Sequence, residues 1–351
     1  MKKLLSLITI MAMLLILAAC AKGARTKDTE GLAAEQPTES NATALASAEQ
    51  QDETHGSEKV KIGIIQPVEH PSLNQIREYI IIGLEEQGLK DKVEITYKDA
   101  QGDPSNINTI VSQFVGDEMD IIVPIGTGAS QSAAAATKEI PIIFAAVSYP
   151  LDAGLVKDVN KPEANVTGVS DAIDVEQIFN LAFELTPQVE TFGFIYNTGE
   201  PNSASAINKA KEYCDDKGIK YVEATITNSS ELPQTAQSLV EKVDAIFTPT
   251  DNTVASAMPI LSAEAQKAGI PVYTGADSMV MDGGFATVGI DYTVLGRQVA
   301  KMVKKVIDGE EISNIPTETL SEFATIINLT TADKIGIKLS EEQLKKFQIV
   351  E

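Results

Sequence analysis

Lys61-Ile-Gly-Ile-Ile-Gln66 and Thr191-Phe-Gly-Phe-Ile-Tyr196 are the two stretches on which the fold turns. Each is a nearly continuous apolar run, the pattern of a strand buried on both faces of a parallel sheet. Each enters a polar loop, His70-Pro71-Ser72 in one case and Gly199-Glu200-Pro201-Asn202-Ser203 in the other. A helix-like segment follows each loop and closes at a glycine, Gly88 or Gly218. The echo continues downstream. Asp120-Ile-Ile-Val-Pro-Ile-Gly-Thr127 leads through an Ala-rich stretch to Ile140-Pro-Ile-Ile-Phe144, and Asp244-Ala-Ile-Phe-Thr-Pro-Thr-Asp251 leads through another to Ile270-Pro-Val-Tyr273. A pattern repeated in this way predicts two similar βαβ lobes.

Working outward, the first series predicts strands near 60–66, 93–98, 120–125 and 141–146, with helices near 71–88, 104–117 and 129–138. The second predicts strands near 191–196, 219–226, 244–249, 271–275 and 285–290, with helices near 174–185, 202–217, 230–242 and 254–268. The expected fold is α/β: two Rossmann-like lobes with parallel sheets joined by a hinge. Residues 59–168 form the N-terminal lobe, completed by about 292–330, and 169–291 form the C-terminal lobe. Residues 331–351 are a tail packing on the lobes, and segments 166–171 and 286–292 read as hinge crossings. Open α/β sheets bind ligands at the carboxyl ends of their strands. The loops at 66–72, 99–104, 126–131, 147–152, 197–203, 250–254 and 276–282 therefore border a cleft.

The chain begins Met1-Lys2-Lys3, followed by an apolar run over 4–19 interrupted only by Ser6 and Thr9 and ending Leu17-Ala18-Ala19-Cys20. A positive start, a short apolar stretch and small residues at its end make a secretory signal rather than a spanning helix. The ending resembles the bacterial lipobox, which implies cleavage of 1–19 and acylation of Cys20. Residues 20–58 then read as a lipidated cysteine with a flexible linker rich in Ala, Thr, Ser, Glu and Gln. The expected location is the outer face of the cell membrane, with the body tethered by the lipid.

The 351 residues carry 43% hydrophobic and 22% charged side chains, an ordinary globular composition. The net charge of −22 repels nucleic acid and anionic lipid surfaces. Two histidines, His55 and His70, and two cysteines, Cys20 and Cys214, argue against a His/Cys zinc cluster. There is no Trp, so no sugar site of stacked indoles on the protein side. Neither a Gly-x-Ser-x-Gly elbow nor a Gly-x-Gly-x-x-Gly fingerprint appears, and Gly126-Thr127-Gly128 lacks the Gly-Lys-Ser/Thr of a P-loop. No catalytic constellation, cofactor or metal is expected.

Several cleft loops carry candidate ligand groups. Gly126-Thr127-Gly128-Ala129-Ser130 opens a helix, whose free N–H groups suit a carboxylate, with the Thr127 hydroxyl beside them. Thr250-Asp251-Asn252 holds the equivalent place in the second lobe, where Asp251 or Asn252 caps a helix or Asp251 meets a ligand ammonium. Asn197 has no obvious capping role, whereas Asn202 or Ser203 suits a cap. Asp277 is a second candidate for a cation, and Phe144, Tyr149 and Tyr196 are candidates to frame a side-chain pocket. His70 reads equally as a structural residue.

Taken together, Gly63-Ile-Ile-Gln66 with His70-Pro71, Gly126-Thr127-Gly128-Ala129, Ser148-Tyr-Pro-Leu-Asp-Ala-Gly-Leu155, Asn165-Val-Thr-Gly-Val-Ser-Asp171, Tyr196-Asn197, Pro249-Thr-Asp-Asn-Thr-Val254, Ala276-Asp277-Ser278 and Gly289-Ile-Asp-Tyr-Thr-Val-Leu-Gly296 resemble the substrate-binding lipoproteins of ABC importers, the tryptophan/tyrosine-type group, over roughly 59–335. The resemblance implies a type I periplasmic-binding-protein fold. It also implies capture of a small amino acid, aromatic and tryptophan-like, and delivery to an ABC permease with its ATPase. Gly128 and Asn74 depart from the small Pro or Ala and the acidic residue expected of the group. Residue reading and resemblance together put the candidate ligand contacts at Gln66, His70, Thr127, Gly128, Ser148, Tyr149, Asn197, Asn202, Ser203, Thr250, Asp251, Asn252 and Asp277. A binding protein for another amino acid, a sugar or a nucleoside, a ligand sensor without transport, and an extracellular α/β enzyme are the alternatives.

Overall fold

A computed structural model describes residues 58–162 and 164–351. The expected signal peptide, Cys20 and all of the linker but its last residue lie outside the described residues. Among the described residues, no helix is long and apolar enough to cross a membrane.

The first series of elements runs β1 (Val60–Gln66), α1 (Pro71–Glu86), β2 (Val93–Asp99), α2 (Pro104–Gly116), β3 (Ile121–Pro124), α3 (Thr127–Ala136), β4 (Ile142–Ala145) and β5 (Val166–Ser170). The second runs α4 (Val175–Leu185), β6 (Thr191–Asn197), α5 (Pro201–Lys217), β7 (Lys220–Ile226), α6 (Leu232–Val240), β8 (Ala245–Thr248), α7 (Asn252–Ser256), α8 (Met258–Ala268), β9 (Val272–Thr274), α9 (Asp277–Met281) and β10 (Ala286–Ile290). The chain then returns through α10 (Tyr292–Ile307), β11 (Glu318–Thr319), β12 (Phe323–Asn328), α11 (Leu329–Lys334), α12 (Glu341–Lys346) and β13 (Gln348–Val350).

Two sheets result, one per lobe. The first has the order β11-β5-β4-β3-β1-β2 and is parallel throughout. The second has the order β13-β12-β10-β9-β8-β6-β7, and β12 meets β10 antiparallel. The α/β class with two parallel-sheet lobes is therefore present. Strands β1, β3, β4, β8 and β9 are apolar and buried, as continuous runs between helix layers should be.

The repeat extends to single atoms. Gly63 and Gly193 hold the third place of the two founding runs. A Cβ on Gly63 would lie 2.7 Å from the Phe114 ring of α2, and one on Gly193 would lie 2.9 Å from Leu239 of α6. Each glycine lets the equivalent helix bring a large side chain onto its strand. On the opposite face of the second sheet, α4 supplies Phe179, whose ring lies 4.7 Å from Phe192 and 5.3 Å from Phe247.

Three expectations need correction. The segments at 166–171 and 286–292 are mostly strands, β5 and β10, which run up to crossings that are only a few residues long. Val166-Thr-Gly-Val-Ser170 is wholly buried although it lacks a continuous apolar run. The return segment expected at 292–330 also divides. Helix α10 packs along α1 and β11 pairs with β5, both in the first lobe, whereas β12 joins the second sheet. A third crossing therefore lies at 320–322. The helix expected over 254–268 breaks at Ala257 (φ −127°): Pro259 has no N–H to bond the Ala255 carbonyl and its ring crowds that carbonyl, so it fits only at the start of a new helix. Within the expected tail, residues 348–350 form β13 at the edge of the second sheet.

Candidate ligand-binding cleft

The carboxyl ends of β1, β3, β4 and β5 in the first lobe face those of β8 and β9 in the second. Between them lies a cavity lined by His70, Ser72, Leu73, Gly126, Thr127, Ala146, Ser148, Asp171, Asn202, Thr250, Asp251, Asn252, Ala255, Ala276, Met279 and Tyr292. The lobes meet directly across it. His70 Nε2 lies 3.1 Å from Asn252 Oδ1, and the Ser148 hydroxyl lies 3.3 Å from that of Thr250. The hydroxyls of Ser72 and Ser278 also bond across the cleft.

On the first-lobe side, α3 begins at Thr127, so its first N–H groups point into the cavity wall with no side-chain cap. The Thr127 hydroxyl is buried and without a partner. Two strands away, Asp171 follows β5. It is buried, accepts from Ser148 Oγ at 2.8 Å and is approached by the Tyr292 hydroxyl at 3.4 Å. Burial pushes its carboxyl above the usual carboxylate range, and the two hydroxyls only partly offset this. Among the described residues no Lys or Arg lines the cavity. Helix start and carboxylate thus offer an anion site and a cation site in one enclosed space, with Leu73, Met279, Tyr292 and several alanines as the apolar wall. Ala146, one of three non-glycine residues with a left-handed backbone among the described residues (φ 54°), turns the chain out of β4 at this wall.

Seven sequence candidates line the cavity: His70, Thr127, Ser148, Asn202, Thr250, Asp251 and Asn252. Burial lowers the His70 imidazole to about 4, against the opposing effect of its bond to Asn252. Asp251 is buried and already engaged: it accepts from Asn197 N at 2.7 Å, Ser203 Oγ at 2.7 Å and Val254 N at 2.8 Å, capping α7. Its carboxyl is raised by burial and by the nearby Glu200. Asn202 donates to Thr250 O at 2.7 Å.

The other six candidates stand elsewhere. Gly128 and Asn197 border an outer recess at the mouth of the cleft. Ser203 supports Asp251. Gln66 lies under α1, donating to Asn74 Oδ1 at 2.9 Å. Tyr149 packs outside the cavity with Lys209 Nζ 5.0 Å from its ring centre. Asp277, raised to about 6 by burial, accepts from the neighbouring Ser278 N. The expected aromatic frame is also absent from the lining: Phe144 is core, and Tyr196 donates to Glu223 at 2.9 Å.

Sequence reading missed Asp171 as a site residue, although a carboxylate immediately after a strand end was a visible signal. It also missed Tyr292 and Met279, which reach the cavity only through the return crossing and α9. Glu200, placed by the sequence only in a polar loop, binds the start of α7: its carboxylate accepts from Asn252 N, Asn252 Nδ2, Thr253 N and Thr253 Oγ1 at 2.7–2.9 Å.

The family described as ABC transporter substrate binding protein matches residues 61–350. A tyrosine-binding protein of Clostridioides difficile (strain R20291) is 39% identical over 295 residues, 83% of this chain and 86% of that one. The structure of an ABC domain in complex with L-Trp from Streptococcus pneumonia superposes with a TM-score of 0.81 at 38% identity, over 84% of this chain and 100% of the other. The ligand-free, open structure of a substrate binding protein with adhesive properties from Clostridium difficile gives a TM-score of 0.64 at 39% identity, over 83% and 99%. At nearly equal identity the chain lies closer to the L-Trp complex than to the open form, in keeping with the side chains that bond across its lobes.

Proposed function

The chain belongs to the ABC transporter substrate-binding protein family, and we propose that it captures an aromatic amino acid, tryptophan or tyrosine, between its lobes and hands it to an ABC permease. The observation that carries this reading is the placement of Asp171 and the start of α3 in one closed cavity without a lysine or arginine in its lining. An α-ammonium meets the buried carboxylate, and an α-carboxylate meets the helix N–H groups and the Thr127 hydroxyl. Leu73, Met279 and Tyr292 take the side chain. Tryptophan and tyrosine binding among the relatives supports the same ligand class.

Asp171 replaces Asp251 and Asp277 as the proposed ammonium partner, because Asp251 already accepts three hydrogen bonds in capping α7 and Asp277 stands outside the lining. Of the sequence candidates, His70, Thr127, Ser148, Asn202, Thr250 and Asn252 remain proposed contacts. The protein acts as a carrier without chemical turnover, and lobe closure presents the permease with a defined shape. The signal at 1–19 is removed and Cys20 carries the lipid that holds the body outside the membrane. A Cys20→Ser change is expected to move the chain from the membrane to the soluble fraction.

A thermal-shift screen of the purified chain against the twenty amino acids, common sugars and nucleosides tests the ligand class. A ligand at 100 times its Kd stabilises the folded state by about 2.7 kcal/mol. Tryptophan or tyrosine is expected to raise the melting temperature. A shift with a sugar or nucleoside alone would overturn the ligand class while leaving the family intact.

A further inference from the structure

We infer that His70 presents a fixed hydrogen-bond acceptor, its Nδ1 lone pair, to the occupant of the cavity, that Glu200 acting through Asn252 is the positioning residue that fixes it, and that the site thereby selects a ligand with an N–H or O–H donor. This rests on the amino-acid reading above and names a determinant within that site.

The chain of assignments begins at Glu200. Its carboxylate is surrounded by four donors, among them Asn252 Nδ2 at 2.7 Å. An acceptor in that position compels the Asn252 amide to turn its nitrogen toward Glu200 and its oxygen away. That oxygen lies 3.1 Å from His70 Nε2 in the other lobe. An amide oxygen only accepts, so Nε2 carries the hydrogen. A neutral imidazole has one N–H, which leaves Nδ1 as a bare lone pair. Nδ1 is buried and has no partner, and His70 lines the cavity. Burial holds the ring at about 4, so it stays neutral near pH 7.

A buried acceptor without a partner is costly, and a ligand donor removes that cost. Thr127 Oγ1, the other buried side-chain atom of the lining without a partner, has both a hydrogen and lone pairs and so accommodates either kind of ligand group. His70 in this tautomer accommodates only a donor. The donor is a ring group, phenol O–H or indole N–H, or the α-ammonium.

Calorimetry on the purified full chain separates these sources. Tyrosine against phenylalanine, and tryptophan against 1-methyltryptophan, differ in the ring donor; tyrosine against 3-(4-hydroxyphenyl)propionate differs in the amine. A polar site left unpaired rejects the analogue by about 10-fold or more. His70→Phe is expected to bring at least one of these preferences to within about 2-fold of parity. Loss of the ring preference identifies the ring donor, and loss of the amine preference identifies the ammonium. Preferences unchanged in His70→Phe, or absent from the wild type, overturn the inference and leave the amino-acid reading standing. Failure of every amino acid to bind overturns both.

A spectroscopic arm needs no cavity substitution. Long-range ¹H–¹⁵N correlation at neutral pH is expected to show His70 as the Nε2–H tautomer, with His55→Gln removing the only other imidazole of the chain. An Nδ1–H tautomer contradicts the inference. Glu200→Ala is expected to mix the tautomers and weaken the donor preference. Glu200→Gln, whose oxygen can accept from Asn252 Nδ2, restores both.

Discussion

His70 Nε2 on the first lobe and Asn252 Oδ1 on the second lie 3.1 Å apart at the wall of the cavity. The bond exists only while the lobes are together, as does the 3.3 Å contact of Ser148 with Thr250. Single bonds of this kind contribute about 0.5–1.5 kcal/mol each, so a ligand touching both lobes has the larger say in closing them.

Closure should weaken in acid through His70. Its ordinary value of 6.5 falls to about 4 when buried. The closed form therefore takes up a proton less readily than an open form in which the ring meets water. The His70 contribution to closure is complete above about pH 6.5 and is lost progressively as the pH falls toward 4, by up to about 1.4 kcal/mol per pH unit. Asp171, raised by burial, shifts in the opposite direction, so the comparison needs a reference lacking His70. Calorimetry at pH 7 and pH 5 on wild type and His70→Phe should show the affinity ratio of the two falling by about 10-fold on acidification. An unchanged ratio contradicts the assignment.

Removing the Asp171 charge should separate binding from folding. The carboxylate is buried with two hydroxyl partners and no cation beside it in the lining, so it is costly in the empty protein. Asp171→Asn keeps the shape and removes that cost. The variant should melt at or above the wild-type temperature without ligand, yet bind the amino acid about 100-fold more weakly, since a buried charge pair that loses one partner forfeits 2–5 kcal/mol. Thermal denaturation and calorimetry read the two effects separately.

Backbone packing behind the cavity should tolerate no side chain at position 275. A Cβ on Gly275 would stand 2.5 Å from Thr250 N and 2.7 Å from Pro249 C, and neither backbone atom can swing aside as a side chain can. Gly275→Ala should push the loop carrying Thr250 and Asp251 off its place. A drop of several degrees in melting temperature together with loss of ligand binding is expected, measured by the same two methods.

Much of this architecture was legible from the chain. Continuous apolar runs announced the buried strands, and glycines such as Gly88 and Gly218 marked helix ends. Strand β5 was hidden because Thr167, Gly168 and Ser170 break the apolar run, while burial there comes from neighbouring strands. The loops of the cleft were legible too, since strand ends carry the polar residues of an open sheet. Which side chains in those loops face the ligand was not. Asp251 and Asp277 look as suitable as Asp171 in sequence, and only the bonds of Asn197 and Ser203 to Asp251 show that it is already occupied. Tyr292 and Met279 come to the cavity through a chain return that no local pattern encodes.

The most direct measurement uses the absence of tryptophan from the chain. Added L-tryptophan is then the sole indole in solution, and its emission reports its own surroundings. Titrating tryptophan with the purified protein should give a blue-shifted, saturable signal at one ligand per chain, displaced by tyrosine and greatly weakened in Asp171→Asn. Emission that stays at its value in water at every protein concentration, with tyrosine likewise failing to bind by calorimetry, would contradict the claim that the closed cavity holds an aromatic amino acid.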